Sequence, residues 1–334
     1  MSADQLAGLS DDLVLATVLL YLASMIGFAL ELAFGRARTN SGATAITVTE
    51  DGVTEGAPAV AAKATVTVGS SGSGPAESGA AGDVVVSPPE PPSWTPVAGR
   101  IAIVLGWIGW AANLGSIVTR GLSVGRWPWG NMYEFVVAIC FAAVTAFLVT
   151  QLRANVRFLG AFVMVTSALG LGFAVIWLHV QAGPVVPALN SYWIAIHVSA
   201  AVIASGLFIV AGVSGILYLL RGDGFSRLPT RDDLERVAHR AIVLAFPIWT
   251  FAVIAGALWA DKAWGRYWGW DPKEIWAFIT WIAYAAYLHA RATAGWRGRA
   301  ATIVQLVAFA CLLFNLVGVN IFLGGLHSYA DVGS

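Results

Sequence analysis

Between two long apolar runs the chain reads WGRYWGWDPKE, from Trp264 to Glu274. Four aromatic rings and two glycines fall within seven residues, followed by three charged groups and a proline. One reading is an aromatic belt, because the amphipathic rings of Trp and Tyr gather at membrane–water interfaces. Belts account for one or two rings per helix end, as at Tyr192 and Trp193, and less well for Trp264, Tyr267, Trp268 and Trp270 together. The other reading is a binding platform. Helical spacing would align Trp264, Trp268 and Asp271 (i, i+4, i+7), with Gly265 and Gly269 forming a flat strip beside them. Indoles next to glycines make a surface on which a planar ligand can lie. The charged end, DPKE, fits a helix start: Asp271 as N-cap, Pro272 in the first turn, Glu274 closing a capping box. Asp271 is then a cap, or a cap that also ties the platform to the next helix.

The histidines bear on what the ligand would be. Of five, His197 follows the Pro-containing segment 181–191 and His327 follows the last apolar run. Alternation of spans brings both to the end of the molecule that carries the tryptophans. Two neutral imidazoles on opposite sides of a planar iron complex would give six-coordinate haem, with indoles packed around the porphyrin. The plain alternative is a pair of interfacial polar residues. His289 lies 18 residues after Asp271, about 27 Å along a helix, so in a hydrocarbon core of about 30 Å it belongs to the opposite side. It reads either as a functional group within a span or as an ordinary helix end beside Arg291. His179 and His239 are read as structural.

The elements that must position these groups follow from composition. The chain of 334 residues is 58% hydrophobic and 11% charged, against about 25% charged in soluble domains. Apolar runs of span length recur, too long and continuous for barrel strands. The expectation is an all-α polytopic membrane protein of about eight transmembrane helices, near 11–34, 100–119, 132–150, 157–178, 193–220, 240–260, 274–291 and 301–324. The first run follows Asp4, Asp11 and Asp12 and precedes Arg36 and Arg38. That order is the reverse of a signal peptide's, so the run reads as an anchor. With the N-terminus outside, fourteen of the 19 Lys and Arg fall on inner segments, which by the positive-inside rule leaves both termini and the Trp-rich segment outside the cytoplasmic membrane. Zero net charge gives no sign of nucleic-acid binding. Cys140 and Cys311 stand alone in apolar runs, and there is no CxxC, which argues against thiol redox, zinc-finger and c-type cytochrome chemistry. The expected organisation is an anchor at 1–35, a flexible cytoplasmic linker at 36–98, and a transmembrane domain at 99–330 that carries the Trp-rich segment 261–275. The linker assignment rests on its Ala, Gly, Ser, Thr and Pro content.

These motifs resemble the haem-handling "WWD" membrane proteins of c-type cytochrome assembly, of the CcsA/ResC type in system II (often called CcsB in actinobacteria). WGRYWGWD is similar to the family's WGxxWxWD, and NSYWIAIHV and GLHSYA to its two outer-face histidine segments. WAFITWIAYAAYLHAR is similar to its helix with a membrane histidine, and NMYEF at 131–135 to an early family segment. The resemblance covers about residues 100–330; the long segment at 40–95 departs from compact members. It implies that His197 and His327 are axial ligands of haem b, the transported substrate, and that Trp264, Gly265, Trp268, Trp270 and Asp271 surround it. His289 would hold haem at an inner site. It further implies a ResB-type membrane partner and an apocytochrome c whose CxxCH thiols add to the haem vinyl groups, the chain being part of a haem lyase complex. Arg126, Lys262, Arg266 and Lys273 would be available to the propionates, or simply to lipid headgroups. Two other classes stay open: a b-type electron-transfer cytochrome, which would place ligand pairs deep in its spans, and a solute transporter, which would pair polar groups near the midplane. Asn113, Asn315, Asn320 and Glu134 are polar candidates for the latter but form no repeat.

Overall fold

The computed structural model describes residues 1–35, 91–185, 191–221 and 228–327. All regular structure among them is helical: α1 (Ala3–Phe34), α2 (Thr95–Val124), α3 (Met132–Arg153), α4 (Gly160–Trp177), α5 (Tyr192–Leu220), α6 (Arg231–Trp264), α7 (Pro272–Thr293), α8 (Gly298–Leu313) and α9 (Val319–Phe322). A short 3₁₀ turn, Arg157–Leu159, leads into α4, and a π turn, Phe314–Gly318, joins α8 to α9 without a break. Most of the expected linker, residues 36–90, lies outside the described residues.

Among the described residues seven helices are long and apolar enough to cross a membrane, with α8 through α9 counting as one. The eighth expected span is α7. Its 22 residues would reach about 33 Å, but its tryptophans, tyrosines, His289 and Arg291 make it less apolar than the rest. The fold class is that of a polytopic all-α membrane protein.

Helix ends are set locally. Ser2 opens α1 in a capping box with Gln5, Asn131 caps α3 through the Glu134 amide, Ser191 caps α5 and Thr230 caps α6. Each side-chain oxygen pairs a backbone N–H that has no partner within its own helix. The most extensive pairings are α1 on α2 and α5 on α6. Small residues let the backbones approach, as expected where lipid is as apolar as the packing surface. A Cβ on Gly109 would stand 2.8 Å from the Tyr21 ring, and one on Gly206 2.6 Å from the Ala142 backbone. Buried hydroxyls also bind across the first pair: Ser10 donates to the Ser116 carbonyl at 2.9 Å and Ser24 to the Ala102 carbonyl at 2.7 Å.

Ion pairs among the described residues gather at two ends. At one end Glu134, 3% exposed, accepts from Arg120 Nε at 3.3 Å and from both terminal nitrogens of Arg126 at 2.9 and 3.1 Å. Arg126 also donates to the Gly183 carbonyl, and Asp11 pairs with His179 at 3.2 Å. These contacts staple the start of α1, the α2–α3 loop and the segment after α4. At the other end Arg157 pairs with Glu31, and Arg291 with Glu235. The Trp-rich segment and His327 belong to the first end, since Trp268 and His327 line one pocket with Trp129, Gly130 and Asn131 of the α2–α3 connection.

Candidate functional site

The site is built where α5, α6, α7 and the α8–α9 helix meet the α2–α3 loop. A pocket of about 1110 Å³, counting its open mouth, lies between them. His197 and His327 both line it, together with Trp129, Trp249, Trp259, Tyr267 and Trp268; the polar lining includes Lys273, Glu274, Asn315 and Asn320.

His197 stands in the second turn of α5. Its Nδ1–H donates to the Ala252 carbonyl of α6 at 2.8 Å. That bond fixes the tautomer and leaves the Nε2 lone pair available for a metal, the usual role of an outer partner to a ligating histidine. Gly256 makes room for the ring: a Cβ there would stand 2.7 Å from His197 Cε1. The imidazole lies parallel to the Trp259 indole, with centroids 6.1 Å apart and an interplanar angle of 5°.

His327 approaches from the chain that follows α9. Its Nδ1–H donates to Asp271 Oδ2 at 2.7 Å, so this ring too has its tautomer set by an outer partner. Trp264 meets it edge to face at 4.9 Å and Trp259 lies 5.7 Å away. The two imidazoles thus flank one indole, Trp259, and cannot be farther apart than the sum of their distances to it. Among the described residues no group of three or more His, Cys, Asp or Glu converges on a point that could hold a bare metal ion. Two imidazoles beside indoles in an apolar pocket suit a planar metal complex better than an ion.

Asp271 does several things at once. It caps α7 by accepting from the Lys273 amide at 3.3 Å, with Glu274 closing the capping box. Its Oδ1 accepts from the Leu326 amide at 2.7 Å, and its Oδ2 orients His327. Burial pushes the Asp271 carboxyl up, but the hydrogen bonds from His327, Leu326 and Lys273, and the proximity of His327, outweigh it and hold the group below its ordinary value. Asp271 is thus a cap that also ties the segment after α9 to the start of α7.

The segment between α6 and α7 departs from the helical stripe expected over Trp264, Trp268 and Asp271. Gly265 takes the left-handed conformation (φ 71°) and ends α6, its amide closing on the Asp261 carbonyl at 2.9 Å. The rest of the segment is an irregular turn in which Trp270 also has positive φ, 59°. Glu274 Oε2 braces this turn by accepting from the Gly269 amide at 2.8 Å and the Asp271 amide at 3.0 Å. Gly269 does not lie in an open strip, because the Arg266 guanidinium covers the position a Cβ would take. Trp268 lines the pocket and packs edge to face on Trp270 at 5.8 Å. Trp264 stands behind His327, and Trp270 is 65% exposed.

His289 is elsewhere. It is exposed near the far end of α7 and does not line the pocket. His239 faces the Tyr287 hydroxyl at 3.3 Å toward that same end, and His179 pairs with Asp11 and packs on Tyr133. The sequence reading did not pick out Trp259 or Trp129, and it named Asn315 only as a polar candidate for a transporter, not as a group lining this pocket. Trp259 sits within an apolar run five residues before Trp264, where it looks like any core aromatic. Trp129 lies in RWPWGN, a second aromatic turn whose Trp and Gly content was a usable signal.

Fold and site together define a multi-pass helical membrane protein with a histidine- and indole-lined pocket at one end. Residues 129–327 match the cytochrome C assembly protein family. The chain is similar to the cytochrome c biogenesis protein CcsA of Chlamydomonas reinhardtii, 36% identical over 224 residues, 64% of each chain. It is similar to that of Synechococcus elongatus at 33% over 290 residues, 70% of this chain and 87% of the other, and to that of Gloeobacter violaceus at 30% over 304 residues, 71% and 90%. The chain therefore belongs to the cytochrome c assembly protein family and is of the CcsA type.

Proposed function

We propose that this protein acts in cytochrome c biogenesis by holding haem b, as transported substrate, between His197 and His327 and presenting it to apocytochrome c. The observation that carries the reading is the pair of imidazoles in one apolar pocket, each with its Nδ1–H committed, to the Ala252 carbonyl and to the Asp271 carboxylate. Such outer partners orient a ligating ring and raise its basicity. Trp268 lines the space the porphyrin would fill, and Trp259 backs both imidazoles. The membership and the names of the relatives support the biogenesis role. The charge bias of the loops supports a location in the cytoplasmic membrane with the pocket at the outer face.

In this reading the pocket positions haem so that the two CxxCH thiols of the client meet its vinyl groups. Each S–H adds across a C=C bond, the sulfur to one carbon and the hydrogen to the other, so no external oxidant or reductant enters. The client's own histidine takes the place of His197 or His327. The chain supplies orientation and exclusion of water rather than a nucleophile. A ResB-type partner completes the complex, and His289, exposed on α7, is the group through which haem reaches the pocket from the cytoplasmic side.

The test is the absorption spectrum of the purified protein, followed by replacement of each histidine. We expect a six-coordinate low-spin haem spectrum, lost in His197→Ala and His327→Ala and partly restored by added imidazole, whereas His179→Ala and His239→Ala keep it. A protein from haem-replete cells that carries no haem and binds none on titration overturns the proposal.

A further inference from the structure

Lys273 is the second residue of α7, and its side chain lines the pocket that holds both imidazoles. Its Nζ is buried and has no hydrogen-bond partner. An ammonium withdrawn from water without a partner is strongly disfavoured, so the position asks for an anion that is not part of this chain. The nearby carboxylates are engaged elsewhere. Asp271 accepts from His327 and the Leu326 amide, Glu274 accepts from the Gly269 and Asp271 amides, and neither forms an ion pair with Lys273. Of the other cations at this end, Arg120 is held between Glu134 and Asp11, and three more are differently disposed. Arg126 is bidentate on Glu134, Lys262 is 64% exposed beside Asp261, and Arg266 is exposed over Gly269; none of these three lines the pocket.

A second orphan faces the same space. Asn315 is 3% exposed and its Oδ1 is buried without a partner. It sits in the π turn Phe314–Gly318, where the extra residue per turn rotates side chains relative to α8. Single π turns of this kind occur often at functional sites. Rotated by 180° about its last torsion, the amide offers an N–H in place of the oxygen.

We propose that Lys273 Nζ is the anchor for a carboxylate of the pocket's ligand, with the Asn315 amide as a second polar contact. Resting on the haem reading above, this makes one propionate group the feature that fixes the rotation of the macrocycle between His197 and His327. Rotation matters for the product, because the two vinyl groups must face the client's two thiols in a set order, and a ring held only by its iron can turn about the axis between the imidazoles.

The experiment compares ferric haem with its dimethyl ester, in which both propionates are blocked, by absorbance titration of the full-length protein in detergent. We expect the wild-type protein to bind the free acid about ten- to a hundredfold more tightly than the diester, the range of a hydrogen bond to a charged group. Lys273→Met should abolish the preference while leaving diester affinity within about twofold, and Lys273→Arg should keep most of it. The first comparison uses the unaltered chain, so it stands even if Lys273→Met folds poorly. Equal binding of the two porphyrins by the wild-type protein, both with a six-coordinate spectrum, overturns the role of Lys273 and leaves the haem site standing. A preference that survives in Lys273→Met, or equal weakening of both porphyrins by that change, overturns it as well. Failure of both porphyrins to give the six-coordinate spectrum overturns the haem reading and this inference with it.

Discussion

Replacing Asp271 by Asn separates two jobs that the wild-type carboxylate does together. Asn and Asp rank alike as N-caps, so Asp271→Asn leaves the start of α7 nearly as stable as before. What it removes is the negative charge 2.7 Å from His327 Nδ1. A hydrogen bond to a charged group contributes about 1.5–3 kcal/mol, and loss of the outer partner of a ligating histidine weakens binding about 10–100-fold. At about 1.4 kcal/mol per tenfold the two ranges agree. We therefore expect haem affinity to fall about 10–100-fold in Asp271→Asn with the cap of α7 kept, thermal unfolding at neutral pH moving down only by what the ionised carboxylate adds. Asp271→Ala should lose the same affinity and also about 1 kcal/mol of stability with the cap. Acid adds a second readout. The carboxyl is held below its ordinary value, so its contribution to folding is complete above the usual carboxylate pKa near about 4. The contribution is lost as pH falls through the lower folded-state value, and Asp271→Asn should not show that loss. Haem titration by absorbance, with melting curves from neutral to acid pH, measures all of this. If Asp271→Asn binds haem as tightly as the wild-type protein while Asp271→Ala melts early, Asp271 is only a cap and the orientation argument fails.

Three further substitutions probe other parts of the structure. Gly256→Ala would push a Cβ against His197, 2.8 Å from Nδ1; we expect loss of the Ala252 hydrogen bond and about tenfold weaker haem binding, and an unchanged titration would show that the ring can move aside. Glu134→Ala leaves Arg120 and Arg126 without their shared carboxylate, which should destabilise the fold by about 3–5 kcal/mol and open the α2–α3 loop to protease; melting within about 1 kcal/mol of wild type would contradict the buried staple. His289→Ala should yield protein purified without haem whose pocket still fills when haem is added, whereas normal haem content and normal cytochrome maturation would remove His289 from the route.

Much of the architecture could be read from the chain because apolar runs and caps are local signals. Asp271, Pro272 and Glu274 form the helix start that their order suggests, and topology alone brings His197 and His327 to one end. The turn between α6 and α7 was misread for an equally local reason. A period of 3.6 applied across Trp264–Asp271 assumes that Gly265 continues a helix, whereas it takes the left-handed conformation that stops one. The pocket's other contributors depend on neighbours distant in sequence. Trp259 matters because α5 lays His197 parallel to it. Lys273 could be recognised as a cation at this end, but its burial depends on the packing around it, and Asn315 is aimed by a π turn that no short motif announces.

The left-handed backbone at Trp270 has an energetic meaning of its own. A bulky L-residue in that region is disfavoured by about 1–2 kcal/mol, and glycine would adopt it freely. Glu274 holds the amides on either side of Trp270 and so keeps the turn from relaxing. Trp270→Gly should therefore leave the fold as stable or more so. The chain keeps at that point a large, 65% exposed indole whose packing is limited to the Trp268 ring and which the backbone conformation does not favour. Folding stability alone would not choose tryptophan there, and whatever this residue contributes is to be sought in assays of the working complex rather than in melting curves.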